Sequence, residues 1–325
     1  VIASQAVISG SFSLTRQAVQ LGYMPRLRID HTSEKEIGQV YVPSINWILM
    51  VACIGLVIGF RSSSNLAAAY GVAVSTDMVF TTILFSVVAA MRWNWKLSAV
   101  IAMATIFLTV DLAFWGANIY KVPQGGWFPL VIAAVVFTLM TTWRRGRDIL
   151  DKRLREDTLP FDLFLQSLKA KPLTRVPGTA VFMFRNAGST PPSLLHNIKH
   201  NKIVHENLIL LTILTEETPH VDPDARVKTH DYGDGMYWVT AHYGFMEDPD
   251  IPHLLETLQL DGVDFSHSNT SYFLGRETLI ATHRPGMAIW RERLFGWMSR
   301  NALPATYFFR LPPNRVVELG AQIEL

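Results

Sequence analysis

The sequence predicts an α-helical membrane domain followed by a small mixed α/β domain, and three observations predict it. Residues 42–60 and 122–143 carry no charge, residues 62–91 carry only Asp77, and residues 97–120 carry only Asp111. Each run is long enough to cross ~30 Å of hydrocarbon at ~1.5 Å per residue. Basic residues alternate between the connecting segments, as they do in multi-pass membrane proteins. Beyond Trp143 the charges return, and short apolar runs alternate with helical patterns and turn signals. The expected domains are residues 1–143, a connector at 144–172 and the α/β domain at 173–325.

Residues 1–13 are apolar but too short to span, and they read as the end of a helix whose start is missing. That predicts a piece of a longer membrane protein. Full spans follow at residues 42–60, 66–90, 97–119 and 127–143. Ser62, Ser63, Ser64 and Asn65 offer N-cap side chains for the second. Gly125 and Gly126 precede the fourth, with Pro129 in its first turn, and Arg144 and Arg145 suit its C-terminal dipole. Trp93, Trp95, Trp127 and Trp143 sit near span ends, as interfacial aromatics do.

Arg16, Arg26, Arg28 and Lys35 precede the first span, while the next tip holds Arg61 alone. Arg92 and Lys96 follow, then Lys121 alone, then Arg144, Arg145, Arg147, Lys152, Arg153 and Arg155. The positive-inside rule puts the basic-rich side, and with it the C-terminal domain, in the cytoplasm. The expected location is the cytoplasmic (inner) membrane.

The connector is polar, partly helical and ends at Pro172. Strands are expected at 179–184, 208–215 and 271–274, and helices at 193–201, 251–260 and 288–301, the last amphipathic. Residues 226–232 and 236–245 flank Gly233-Asp234-Gly235, a hairpin signal. Pro312-Pro313 introduces a final strand at 316–319.

The net charge of +2, with no evident arginine-rich stripe interleaved with aromatics, argues against a nucleic-acid partner. The single cysteine, Cys53, excludes a disulfide within the chain. No phosphate-binding loop, dinucleotide fingerprint or serine elbow occurs, so no enzyme is expected. No cofactor or resident metal is expected either. His196 and His200 are spaced for zinc, but zinc needs three or four converging ligands, and a polar helix face is the expected role.

Two carboxylates inside spans carry the functional expectation. A bare Asp at a helix centre costs ~2.5–3.5 kcal/mol on the translocon scale, so it needs a partner, a wet cavity, an ion or a proton. Asp77 stands beside Ser75 and Thr76, with Tyr70 two turns earlier, and hydroxyl oxygens suit an alkali ion better than nitrogen or sulfur. Tyr70, Ser75, Thr76, Asp77 and Asp111 are therefore the candidate ion-pathway residues. The alternative for each carboxylate is an interhelical hydrogen bond that holds packing. Small residues Ala67, Ala68, Ala69 and Gly71 suit close helix packing or a discontinuous helix.

Seven strings carry a resemblance: VIASQAVISGSFSLTRQAVQLGYMPRLRI (1–29), HTS (31–33), GFRSSSNLAAAYGVAV (59–74), GGWFPL (125–130), RVPGTAVFM (175–183), HNIKHNKIVHENLILLT (196–212) and PPNRVVELGAQIEL (312–325). Together they resemble the bacterial branch of the KUP/HAK/KT potassium uptake family. The resemblance implies a LeuT-like (APC-type) bundle of twelve helices with a cytoplasmic C-terminal domain. It also implies inward potassium movement coupled to protons. By that match the chain is the C-terminal half, from the end of helix eight onward. The family's main potassium-coordinating acids are expected on helices one, three and six, outside this chain. Tyr70 falls on helix ten, which lines the central pathway, so the resemblance makes it a pathway or gate residue. Asp77 departs from the family pattern, which usually has an uncharged residue there. Potassium, a proton and the bilayer are the implied partners, with pairing of two protomers by analogy. A membrane-anchored ligand sensor and a carboxylate-lined channel are the competing readings, and a plain anchor needs neither Asp77 nor Asp111.

Overall fold

The computed structural model describes residues 2–31, 39–156, 159–170, 173–184, 188–280 and 286–324. Lys35 of the basic segment, the connector end at Pro172, and Thr32 and Ser33 of the HTS string lie outside the described residues. The chain packs as two compact units, Trp47–Leu139 and a second that joins Val1–Asn46 to Met140–Leu325.

Helix α1 (Ile2–Gln20) runs on past the expected end at residue 13, and a two-stranded ladder, β1 (Asp30–His31) with β2 (Val40–Tyr41), follows it. Helices α2 (Pro43–Phe60), α3 (Ser63–Met91), α4 (Leu97–Ile119) and α5 (Trp127–Glu156) contain the four segments that, among the described residues, are long and apolar enough to cross a membrane. Two local expectations fail here. Ser62 is the N-cap of α3 in extended backbone, yet its side chain makes no capping bond. The fourth helix does not end at Trp143, so Arg144 and Arg145 lie mid-helix and the dipole argument for them falls. The ion pairs Arg144–Asp148 (3.7 Å) and Arg147–Asp151 (3.8 Å), four residues apart, support the continuation.

Gly125 and Gly126 do more than mark a boundary. Gly125 has φ +145°, and a Cβ there would meet the Asn65 carbonyl at 2.6 Å. A Cβ on Gly126 would meet Val72 at 2.5 Å. Their bare backbone lets the turn before α5 close against the first turns of α3.

The second half of the connector is α6 (Phe161–Ala170), and it belongs to the α/β core. Six strands follow: β3 (Thr174–Met183), β4 (Ile203–Glu216), β5 (Val227–Gly233), β6 (Met236–Gly244), β7 (Thr270–Ile280) and β8 (Val316–Glu324). Their order is β5-β6-β4-β3-β7-β8, parallel except for β5 at one edge. Strands β3, β4, β7 and β8 are longer than expected because apolar periodicity marks mainly their buried stretches, whereas β5 and β6 match their expected limits within a residue. Alternate residues face opposite sides. Val181, Ile209, Leu211 and Val239 meet α8 (Ile251–Glu256) on one face. Ala180, Phe182, Leu208 and Leu210 meet α6 and α7 (Pro192–Asn201) on the other. A sheet covered on both faces accounts for the unbroken apolar run in β4. Helix α8 stops before residue 260 because Leu258 and Leu260 turn inward onto the first cluster.

The Gly233-Asp234-Gly235 hairpin forms as expected, with φ of +80°, +51° and +71°. Helix α9 (Ile289–Arg300) packs on the lower part of α5: Phe295 lies 5.2 Å from the Trp143 ring, and Gly146 leaves room for it. Trp143 is thereby buried, contrary to its interfacial assignment, whereas Trp93, Trp95 and Trp127 are exposed. A short helix, α10 (Ala305–Phe308), precedes β8.

Helix α1 is fixed to this domain by polar contacts. Arg16, only 1% exposed, donates to the Met246 carbonyl and lies 3.6 Å from Asp248. Gln20 donates to the Glu247 carbonyl at 2.7 Å.

Candidate functional site

The candidate ion-pathway residues all lie on α3 and α4, and packing sorts them into three kinds. Ala68, Ala69, Val72 and Ser75 form the buried stripe of α3. Small side chains on this stripe let helix backbones approach closely. Ser75 is 3% exposed, and its hydroxyl donates to the Gly71 carbonyl at 2.8 Å. The Thr76 hydroxyl donates to the Val72 carbonyl at 2.7 Å and accepts from Trp115 Nε1 at 3.2 Å. Both hydroxyl protons are committed to backbone, so toward any ion these groups offer oxygen lone pairs.

Asp111 is 4% exposed and accepts a hydrogen bond of 2.5 Å from Thr82 of α3. It joins the two helices. Tyr70 and Asp77 do the opposite. Seven residues apart, they share one side of α3, where both are exposed, Tyr70 at 72%. The structure thus brings Tyr70 and Asp77 onto one open stripe and sets Asp111 apart, against Thr82. Helix α3 is continuous through Gly71, so the discontinuous alternative is not what forms.

Three participants escaped the sequence reading. Thr82 and Trp115 are the partners of Asp111 and Thr76, and neither residue type stands out inside a span. Asn118, near the end of its span, packs on Gly71: a Cβ there would meet its Oδ1 at 2.8 Å. That oxygen accepts from Lys121 Nζ at 3.1 Å. The available signal was the spacing of Gly71 and Asn118 on two adjacent spans, which means something only once the hairpin pairing is known.

In the α/β domain, no three His, Cys, Asp or Glu side chains converge among the described residues. His196 and His200 approach with ring centroids 6.0 Å apart. A hollow of about 710 Å³ opens at the starting ends of β3, β4 and β6, lined in part by Arg175, His205, Asp234 and Tyr237. Arg175 bridges the Glu206 and Asp234 carbonyls at 2.8 and 2.7 Å. Burial pushes the His205 imidazole below its ordinary pKa, and its Nδ1 is buried without a hydrogen-bond partner. Burial also pushes the Tyr243 and Tyr272 phenols up to about 12, so both stay neutral in the core.

Comparison with known proteins decides the family. Residues 1–148 match the integral membrane domain of K+ potassium transporters, and residues 177–325 match the C-terminal domain of the same transporters. The chain belongs to the KUP/HAK/KT potassium transporter family. The match and the four apolar helices mark it as an integral membrane protein. Over all 325 residues it is 59% identical to a probable potassium transport system protein Kup of Myxococcus xanthus. It is 54% identical to one named Kup 2 of Rhizorhabdus wittichii and 52% to another of Chromobacterium violaceum. The match takes in all of this chain but 50–52% of each relative, so the chain spans about half the length of the curated relatives it matches.

Proposed function

We propose that this chain is the C-terminal half of a transporter that takes up potassium across the cytoplasmic membrane by K+/H+ symport. The observation that carries the reading is the similarity of all 325 residues to relatives named for potassium transport. Those names describe transport rather than catalysis, and we assign no enzymatic step. In this reading the apolar helices form part of a LeuT-like bundle, and the steep alternation of basic residues keeps the α/β domain in the cytoplasm.

The geometry supports a division of roles within α3 and α4. Tyr70 and Asp77, open on one stripe of α3, are the pathway pair, with the Tyr70 hydroxyl at a contact or gate and the Asp77 carboxyl as the group that exchanges a proton. Ser75 and Thr76 offer oxygen acceptors beside them. Asp111, tied to Thr82, holds the hairpin in register. Exposed carboxyl and phenol groups on an apolar helix are costly against lipid, which favours a polar pathway as their surroundings.

The test is growth at limiting potassium in cells that lack their own potassium uptake. The complete reading frame is expected to rescue growth and the 325-residue chain alone to fail. Failure of both, with both present in the membrane, would remove the transport reading. Within the rescuing frame, Asp77→Asn is expected to shift the pH dependence of uptake. An unchanged profile would leave Asp77 outside the proton path.

A further inference from the structure

The outward face of α9 carries a pattern that transport leaves unexplained. Trp290, Arg293, Trp297 and Arg300 are all exposed. At 3.6 residues per turn they fall within an arc of about 80° on one side of the helix. The only acid on α9, Glu292, is buried away from that face, with Phe295, Gly296 and Met298. The exposed stripe is therefore aromatic and purely cationic. The stripe is not evident in the linear sequence, because its members are three and four residues apart and alternate with buried ones.

Where α9 is held gives the stripe its meaning. Arg291 donates to the hydroxyls of Thr142 at 2.9 Å and Thr141 at 3.2 Å, and Phe295 packs on Trp143. These are the last residues of the uncharged run in α5, and Arg144, Arg145 and Arg147 follow at once. A helix fastened there lies at the depth where a spanning segment leaves the hydrocarbon. At that depth tryptophan rings settle among headgroups, and arginine reaches lipid phosphates while its aliphatic stem stays in apolar surroundings. Trp143, the span's own aromatic at this end, is covered by α9, and Trp290 and Trp297 stand exposed in its place.

We infer that the Trp290–Arg293–Trp297–Arg300 face of α9 docks on the bilayer surface, against anionic phospholipid headgroups. Two features select a lipid surface over a protein partner. The face is anchored to a spanning helix at its exit, and it pairs tryptophan with cationic charge, the composition of interfacial helices. The inference rests on α5 crossing a membrane and not on the ion transported, so it stands or falls independently of potassium uptake. Its consequence is that the α/β domain is held to the membrane at two places, by the chain connection through α5 and by α9.

The experiment places a nitroxide at Trp297→Cys in the complete protein, with other cysteines replaced by serine. The protein is reconstituted in vesicles of about three parts phosphatidylcholine to one part phosphatidylglycerol. A second label at Lys228→Cys, exposed on the edge strand β5, reports the aqueous condition. Collision with oxygen should exceed collision with a water-soluble nickel chelate at position 297, and the order should reverse at 228. Adding Arg293→Gln and Arg300→Gln should move the 297 label toward water in these vesicles. A 297 label as open to nickel as the 228 label would overturn the inference, and so would one shielded from both reagents, which would mean another protein surface or a second copy covers α9. If the label at 297 disturbs the fold, unlabelled protein gives the same decision. Brominated lipid should quench wild-type tryptophan emission more than that of a Trp290→Phe, Trp297→Phe variant, and equal quenching would sink the idea.

Discussion

The α/β domain and the helical unit of residues 47–139 expose opposite kinds of residue. In the sheet, Val181, Ile209 and Val239 are wholly buried, and polar Lys228, His230 and Asp231 line the outer edge strand. In the helices, Asp111 and Ser75 are buried, while Val57 and Phe137 are 67% and 69% exposed. The inversion shows that the two parts are built for different surroundings. Against water, burying apolar surface drives packing. Against lipid tails that term vanishes, so small residues, close backbones and interhelical hydrogen bonds hold helices together instead.

The largest expected effect tests the sheet. Phe182 is 1% exposed and stacks on Phe273 at 4.4 Å. Phe182→Ala should cost about 3–5 kcal/mol in unfolding of the α/β domain, against under ~0.5 kcal/mol for Val57→Ala, as at exposed sites generally. Thermal unfolding of the complete protein in lipid or detergent measures both, and a comparable loss at Val57 would mean that protein, not lipid, covers that face.

Arg16→Met removes a buried charge whose Asp248 partner is partly exposed, so about 2–4 kcal/mol is expected, the lower side of values for breaking buried pairs. Faster proteolysis after Asp248 or Glu247 would report the loosened attachment. An unchanged melting curve and cleavage pattern would show that α1 is not held by Arg16.

Thr82→Val should cost only about 0.6 kcal/mol and at most about 1.7 kcal/mol, the average and maximum for hydrogen bonds between helices in lipid. A loss of several kcal/mol would mean that Asp111 is left charged and unsolvated. Little loss, with an altered pH profile of uptake, would move Asp111 from packing to proton handling.

The smallest effect is a pH slope. Burial holds His205 below its ordinary value of 6.5, so the unfolded chain takes up a proton before the folded one does. Its contribution is complete above about pH 6.5 and falls as pH drops toward the lowered value. His205→Gln should flatten the fall in melting temperature between about pH 7 and pH 5 relative to wild type. Parallel curves for the two proteins would assign the slope to other groups.

Charge and hydropathy along the chain located the four helices that, among the described residues, are long and apolar enough to span, because crossing ~30 Å of hydrocarbon demands a long uncharged run. The hairpin turn was equally plain, since three successive positive φ angles demand the glycines that flank Asp234. The candidate site was legible only as a set of polar residues on apolar spans. Which of Tyr70, Ser75, Asp77 and Asp111 turn inward depends on the partner across the helix pair, and no local pattern encodes that.

The sequence by itself determined the apolar helices, the mixed α/β character of the second domain and the polar residues set within the apolar helices, because solvent preference and backbone freedom are local properties. Tertiary structure alone decided that α6 joins the sheet core, that Asp111 meets Thr82, that Trp143 is covered by α9 and that Arg16 is sealed against residues 246–248. Each of these is a contact between side chains distant in sequence. Such contacts are chosen by shape and by the need to satisfy buried polar groups once several elements have come together.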